Sequence, residues 1–220
     1  EASYIDEIKR LQSQYAGQIR IWLGMERDCH STADRADFEY VLGSAHYLPL
    51  PDGTMLPVDG PMKMITSAIR DHFGGDGFAY AQAYYMQLGN YISDYCPDII
   101  GHYDLLMKNN RHGELFDPDS YRYRKAATDA MDQAIKGCDL LEINTGGMAR
   151  SGAHTPYPAR KLLAYWQQIG GQVILAGDCH EANQIAFGYE LAASMVRDTG
   201  FKKAAILGRH DTLFEWVEVV

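Results

Sequence analysis

The sequence predicts an α/β protein built on a mostly parallel sheet, closed as a barrel or doubly wound. Short apolar runs alternate with longer stretches of helical spacing along the whole chain. Polar residues follow those runs directly, at the carboxyl ends of strands where such folds place their chemistry. With 220 residues, 46% of them hydrophobic and 22% charged, the chain is long enough for one sizeable core.

Taken in order, Tyr4 to Tyr15 has helical spacing through Ile5, Ile8 and Leu11. Ile19 to Leu23 follows as an apolar strand ending in Gly24-Met25-Glu26. Tyr40 to Gly43 is a second strand, ending in Ser44-Ala45-His46. A loop rich in Pro and Gly, Leu50 to Pro61, precedes two helices over Met62–His72 and Phe78–Ser93. The second helix carries Tyr80, Tyr84, Tyr85 and Tyr91, a stripe read as core with one face near a site. Asp98-Ile99-Ile100 is a third strand, ending in Gly101-His102-Tyr103-Asp104. A helix over Pro118–Gly137 leads to strand Leu140–Ile143, and Asn144-Thr145-Gly146-Gly147 opens a loop holding Arg150. Tyr157-Pro158 starts a helix that returns to strand Gln172–Ala176 and its end, Gly177-Asp178-Cys179-His180. Helix Ala182–Arg197 and strand Ala204–Leu207 complete the series.

The net charge of −9 disfavours a nucleic-acid partner, because phosphate backbones are met by basic faces. A small phosphorylated molecule stays open, since bound cations can supply the positive field locally. No apolar run approaches the ~20 residues of a membrane span, and no basic-then-apolar leader is present, so no membrane is expected. Cys29, Cys96, Cys138 and Cys179 form no CxxC pair, which points to reduced thiols in a cytoplasm.

Glu26, His46, His102, Asp178 and His180 each follow an apolar strand within two or three residues. Asp178 alone would serve equally as a helix cap and His180 as a turn residue. Five strand ends of metal-ligand type, converging on one face of a parallel barrel, point to a metal site. Imidazole with carboxylate suits Zn, Mn or Fe. Cys179, by alternation along an extended segment, is expected to point away and pack. His30, His72, His112, His154 and His210 are read as loop or surface residues, with His154 sharing the loop of Arg150.

Gly24-Met25-Glu26, Gly43-Ser44-Ala45-His46, Ile100-Gly101-His102-Tyr103-Asp104, Glu142-Ile143-Asn144-Thr145 and Gly177-Asp178-Cys179-His180 resemble successive motifs of the polymerase-and-histidinol-phosphatase (PHP) superfamily. Within it they are most similar to the metal-dependent histidinol-phosphate phosphatases, in the right order over essentially the whole chain. The resemblance implies a distorted (βα)7 barrel with two or three divalent metal ions at the strand ends. It implies that Glu26 bridges two metals, that His46 and His102 complete one, that Asp178 binds the other and that His180 belongs to a third. Arg150 resembles the family's substrate-phosphate arginine, and Lys108 is a second candidate for that role. Asp104 is expected to orient a ligand imidazole.

One departure is evident. The family opens with a strand ending in His-x-His, and this chain contains no such motif. The first βα unit and three ligands are therefore expected to be missing, leaving a single domain over residues 1–220 with an incomplete site, and activity of this chain by itself stays open. The resemblance implies a phosphomonoester hydrolase acting on histidinol phosphate in histidine biosynthesis. A metal-bridging hydroxide would attack phosphorus in line, with Glu26, Asp178 and His180 in the catalytic centre. Glu114, Asp76 and the tyrosine stripe are available to meet the substrate's imidazole and ammonium. Two alternatives remain at this stage: a related phosphoesterase for another small phosphorylated substrate or a nucleotide, and a non-catalytic binding module.

Overall fold

A computed structural model describes residues 2–219 of the chain. Helix α1 (Ala2–Gln14) leads to strand β1 (Gly24–Asp28), then β2 (Tyr40–Ser44) and a hairpin of β3 (Tyr47–Pro49) and β4 (Met55–Pro57). Helices α2 (Met62–His72) and α3 (Gly77–Tyr95) precede β5 (Ile99–Ile100), α4 (Tyr121–Ala134) and β6 (Leu140–Asn144). The remainder is α5 (Gly146–Ser151), α6 (Arg160–Gln168), β7 (Gln172–Ala176), α7 (Tyr189–Thr199), β8 (Lys203–Leu207) and β9 (Phe214–Glu218).

Among the described residues seven strands form one sheet, ordered β1-β2-β5-β6-β7-β8-β9, parallel except for the last pair. The spatial order never reverses relative to the chain. Because parallel crossovers share one hand, each crossover then lies on the same face, and the other face becomes an interior. This decides between the two architectures that the sequence left open: the sheet curls into a half-barrel. Across the opening, Trp22 Nε1 donates to the carbonyl of Gly208 at 2.7 Å, joining the segment before β1 to the residue after β8.

The outer layer packs most tightly where α3 meets α4. A Cβ added at Gly89 would lie 2.9 Å from the Ala130 carbonyl, so the two helix backbones touch because Gly89 has no side chain. Tyr80, Tyr84 and Tyr85 of α3 are fully buried, as the aromatic stripe predicts. Their hydroxyls are not left dry: Tyr85 meets Tyr123 at 2.7 Å, and Tyr84 donates to the Tyr103 carbonyl at 3.1 Å. Tyr103 stacks on Tyr85 with centroids 5.4 Å apart and donates to the Ala127 carbonyl at 2.7 Å. The stripe therefore anchors the residue between His102 and Asp104.

Four expectations change. Ile19–Leu23 is not a strand; the ladder begins at Gly24, opposite Tyr40, and Leu23 N instead donates to Glu39 Oε2 at 2.6 Å. Glu26 consequently lies within β1 rather than after it. The segment after Asn144 is a short helix, with Arg150 in its last turn and Gly152 closing it at φ 65°. The expected helix Ala182–Arg197 breaks into a 3-10 turn over Ala182–Gln184 and α7, because Ala186 and Gly188 take φ 60° and 76°. Strand β9 is additional: Phe214-Glu215-Trp216-Val217-Glu218 pairs antiparallel with β8. Its alternation was present in the sequence. Among the described residues no helix is long and apolar enough to cross a membrane.

Gly89→Val tests the close approach of α3 and α4. Overpacking there is expected to cost about 1–3 kcal/mol, read as a lower urea midpoint with an unchanged slope. A midpoint equal to that of the parent would refute the tight contact.

Candidate active site

Successive side chains of a strand point to opposite faces, so Glu26 and Asp28 share one face of β1. The parallel register sets Glu26 against Leu42 and Asp28 against Ser44, which carries the end of β2 toward both carboxylates. Ser44 Oγ donates to Glu26 Oε1 at 3.0 Å. His46 lies two residues beyond, with Nε2 at 3.3 Å from the same oxygen. On the next strand, Gly101 N bonds the Gly43 carbonyl at 2.9 Å and delivers His102, whose Nε2 lies 2.9 Å from Glu26 Oε1. A Cβ at Gly101 would come within 2.5 Å of Ser44 Oγ, so this approach requires glycine. The two imidazoles meet edge to face at 4.9 Å. One carboxylate oxygen is thus shared by two rings.

Glu26, His46 and His102 place donor atoms within 4.8 Å of one another, and two imidazoles with one carboxylate suit a divalent transition metal. The donor set therefore fits a cation. Burial opposes ionisation of Glu26, but hydrogen bonds from His102 and His46 outweigh it and hold its carboxyl well below the usual range. Burial likewise opposes charge on His46, yet Asp28 and Glu26 push its pKa up to about 10. His102, buried at 5% exposure, is also raised: desolvation acts against it and is exceeded by Glu26 and Glu142. The carboxylates of β1 thus favour the charged form of His46, and Glu26 and Glu142 favour that of His102.

A second cluster stands beside the first. Arg150 Nη2 lies 2.6 Å from Asp178 Oδ2, and Nη1 lies 2.7 Å from His180 Nδ1 and also donates to the Asp178 carbonyl. Gly146 makes room for this pairing, since a Cβ there would sit 2.9 Å from the Asp178 carboxylate. The clusters are joined through β6. Asn144 Nδ2 donates to Glu142 Oε2 at 3.0 Å and approaches Asp178 Oδ2 at 3.3 Å, while Glu142 Oε2 accepts from His102 N at 2.7 Å. Glu142 is buried, which raises its pKa against the pull of His102.

Of the five expected ligands, Glu26, His46 and His102 converge, whereas Asp178 and His180 gather around Arg150. Lys108 is paired with Asp59 at 2.8 Å. Asp104 is buried and accepts from Ala159 N at 2.9 Å through Oδ2 instead of reaching an imidazole. Among the described residues its Oδ1 and His102 Nδ1 have no hydrogen-bond partner. Burial raises Asp104 to about 6. Asp76 caps α3 through Phe78 N at 2.9 Å and pairs with Arg122 at 2.7 Å, and Glu114 accepts from His112 N at 3.0 Å. Cys179 is exposed rather than packed, because Asp178 takes φ 43° and breaks the alternation on which the expectation rested.

Asp28, Ser44, Glu142 and Asn144 belong to the site and were not singled out as site residues from the sequence. The alternation Glu26-x-Asp28 and a Glu and an Asn within the otherwise apolar Leu-Leu-Glu-Ile-Asn strand were the available signals.

No protein-family model matches the chain. A probable histidinol-phosphatase of Deinococcus radiodurans is 30% identical over 205 residues, spanning 90% of this chain and 72% of the relative. A probable histidinol-phosphatase of Schizosaccharomyces pombe is 25% identical over 221 residues, spanning 93% of this chain and 68% of the relative. Among solved structures, one from Listeria monocytogenes whose name places it with the histidinol phosphatases superposes with a TM-score of 0.70 at 17% identity, over 86% of this chain and 75% of that one. Histidinol phosphate phosphatase from Lactococcus lactis, solved with zinc, L-histidinol and phosphate, superposes with a TM-score of 0.61 at 20% identity, over 93% and 76%. The two structures share the fold of this chain.

The metal-stripped protein should carry a pH signature of its site. The stabilisation from His46 is complete below its ordinary 6.5 and is lost as pH rises towards about 10. That from Asp28 is complete above its ordinary 3.8 and is lost as pH falls towards about 2. Thermal unfolding is expected to give the highest Tm between the two ordinary values, and His46→Gln to flatten the alkaline limb. A Tm independent of pH on that limb in the parent protein would contradict the arrangement.

Proposed function

The chain belongs to the histidinol-phosphatase family, and on that premise we propose that its residues 1–220 act as one phosphomonoester hydrolase domain on histidinol phosphate. The observation that carries this reading is Glu26 Oε1, placed 2.9 Å from His102 Nε2 and 3.3 Å from His46 Nε2 at the carboxyl end of a parallel sheet. Glu26, His46 and His102 would hold a divalent cation, with Asp178 and His180 available to a neighbouring one. Such cations supply Lewis acidity towards phosphoryl oxygens and acidify water.

The chain's own residues do the rest. Arg150 presents a planar guanidinium that suits two oxygens of a phosphoryl group. It now faces Asp178 and His180, so a phosphate anion that engages Arg150 releases both for a cation. Binding of phosphate and the availability of Asp178 are thereby coupled. Asn144 steadies Asp178 against Glu142 throughout, and Tyr103 keeps the His102 segment in place from behind. The acidic character of the chain, −9 overall, accords with a small substrate neutralised locally by cations.

The test is phosphate release from histidinol phosphate by the intact protein loaded in turn with zinc, manganese and iron, against a panel of other phosphomonoesters and nucleotides. Preference for histidinol phosphate is expected, and a flat or nucleotide-led profile would sink the assignment. Glu26→Ala is expected to reduce turnover to background, and appreciable activity with full metal loading would remove Glu26 from its role. Arg150→Ala is expected to lower kcat/KM by about 10²–10³-fold, the usual cost of losing one charge-stabilising donor.

A further inference from the structure

We infer that Asp28 is the positioning residue for His46, fixing its imidazole so that Nδ1 carries the proton and Nε2 is presented to the metal shared with Glu26. This inference rests on the metal site proposed above. The two nitrogens of the ring face different carboxylates: Nε2 lies 3.3 Å from Glu26 Oε1 and Nδ1 lies 3.4 Å from Asp28 Oδ2. Both carboxylates belong to β1, two residues apart, so the strand's own alternation sets them on either side of one imidazole. A metal at Nε2 displaces only the Glu26 contact and leaves Asp28 as the acceptor for the Nδ1 proton. A carboxylate behind a ligating imidazole both selects the tautomer and raises the basicity of the ligand.

Asp28 is itself well anchored. Its Oδ2 accepts from His46 N at 2.7 Å and its Oδ1 from His30 N at 2.9 Å. Its backbone is paired to Ser44, and Cys29 N bonds the Ser44 carbonyl at 2.9 Å. The same carboxylate therefore grips the main chain and faces the ring of His46, a residue that lies beyond the end of β2. Among the described residues His102 has no equivalent. Its ring is buried, its Nδ1 is without a partner among the described residues, and the Tyr103 anchor next to it sets its path. His46, with its ring 31% exposed, is the ligand whose orientation depends on a carboxylate.

Asp28, Cys29 and His30 also bring donor atoms within 4.8 Å of one another, which offers a competing use for Asp28 as a ligand in a separate site. The two roles give different results in a zinc titration. The experiment measures zinc affinity of the full chain by competition with a chromophoric chelator, for the parent, Asp28→Asn, Asp28→Ala and Cys29→Ser. It is combined with 15N-imidazole spectra of the zinc-loaded parent, in which His46 is assigned by its loss in His46→Gln. The expected result is an Nδ1-protonated His46 in the parent, about 10–100-fold weaker zinc binding in the Asp28 variants and no change in Cys29→Ser. Loss of a whole zinc equivalent in both Asp28→Ala and Cys29→Ser, with the remaining affinity unchanged, would overturn it in favour of a separate site. Zinc affinity within about twofold of the parent in both Asp28 variants would also overturn it, since an orienting carboxylate is worth more than that. The parent spectrum decides even if the variants do not fold, because an Nε2-protonated His46 refutes the positioning directly. A parent that binds no zinc overturns the metal reading as well, whereas zinc binding with the wrong tautomer overturns this inference alone.

Discussion

One carboxylate oxygen, Glu26 Oε1, organises the centre of this molecule, because two imidazoles and a serine hydroxyl converge on it. Such convergence costs free energy unless the groups are paired, since a buried imidazolium or carboxylate alone loses its hydration. The parallel ladder supplies the pairing. Adjacent strands β1, β2 and β5 each present a residue at the same end of the sheet, and the short spacing between strands does what no local sequence could. A slip of one residue in β1 would turn Glu26 and Asp28 away from the site together.

The buried polar residues continue this theme. Ser44, His102, Asp104, Asn144 and Thr145 are buried at or just past the carboxyl end of a central strand, and Glu142 is buried in the middle of β6. Their bonds run between strands: His102 N to Glu142, Asn144 to both Glu142 and Asp178, Thr145 N to the Ala176 carbonyl. The apolar core beneath is closed by α3 and α4, where Tyr85 and Tyr123 pair through their hydroxyls and so tolerate full burial. Rigid packing below and a paired polar layer above are what allow ligating groups to be held close together before any cation arrives. The clusters around Glu26 and around Arg150 are joined through Asn144 and Glu142.

Much of this was legible in the residues. Helix Met62–His72 and strand Gln172–Ala176 coincide with their apolar periodicity, and the segments that follow Gly24, Gly43, Gly101 and Gly177 hold the residues expected as ligands. The misreadings share a cause. Ile19–Leu23 has the composition of a strand, but the ladder begins where a partner exists, at Gly24 opposite Tyr40. Helix Ala182–Arg197 has helical spacing, but Ala186 and Gly188 leave the helical region. Asp28 escaped notice because an acidic residue after a strand is ordinary until a histidine from the next strand is set against it. Arg150 and, as the weaker candidate, Lys108 both read as loop cations for phosphate. Asp59 occupies Lys108, while Asp178 and His180 face Arg150.

By itself the sequence determined the classes of structure and chemistry: alternating strands and helices, acidic surface, and imidazole and carboxylate donors at strand ends. These follow from short-range properties, namely periodicity, composition and the residue that succeeds an apolar run. Only the tertiary structure decided that the sheet curls instead of winding both ways, because strand order is a property of pairing across the chain. It alone decided that Glu26, His46 and His102 meet on one oxygen while Asp178 and His180 face Arg150, and that Asp28 stands behind His46. Hydrogen bonds a few ångströms long between residues tens of positions apart depend on register and curvature, and no stretch of sequence encodes either one alone.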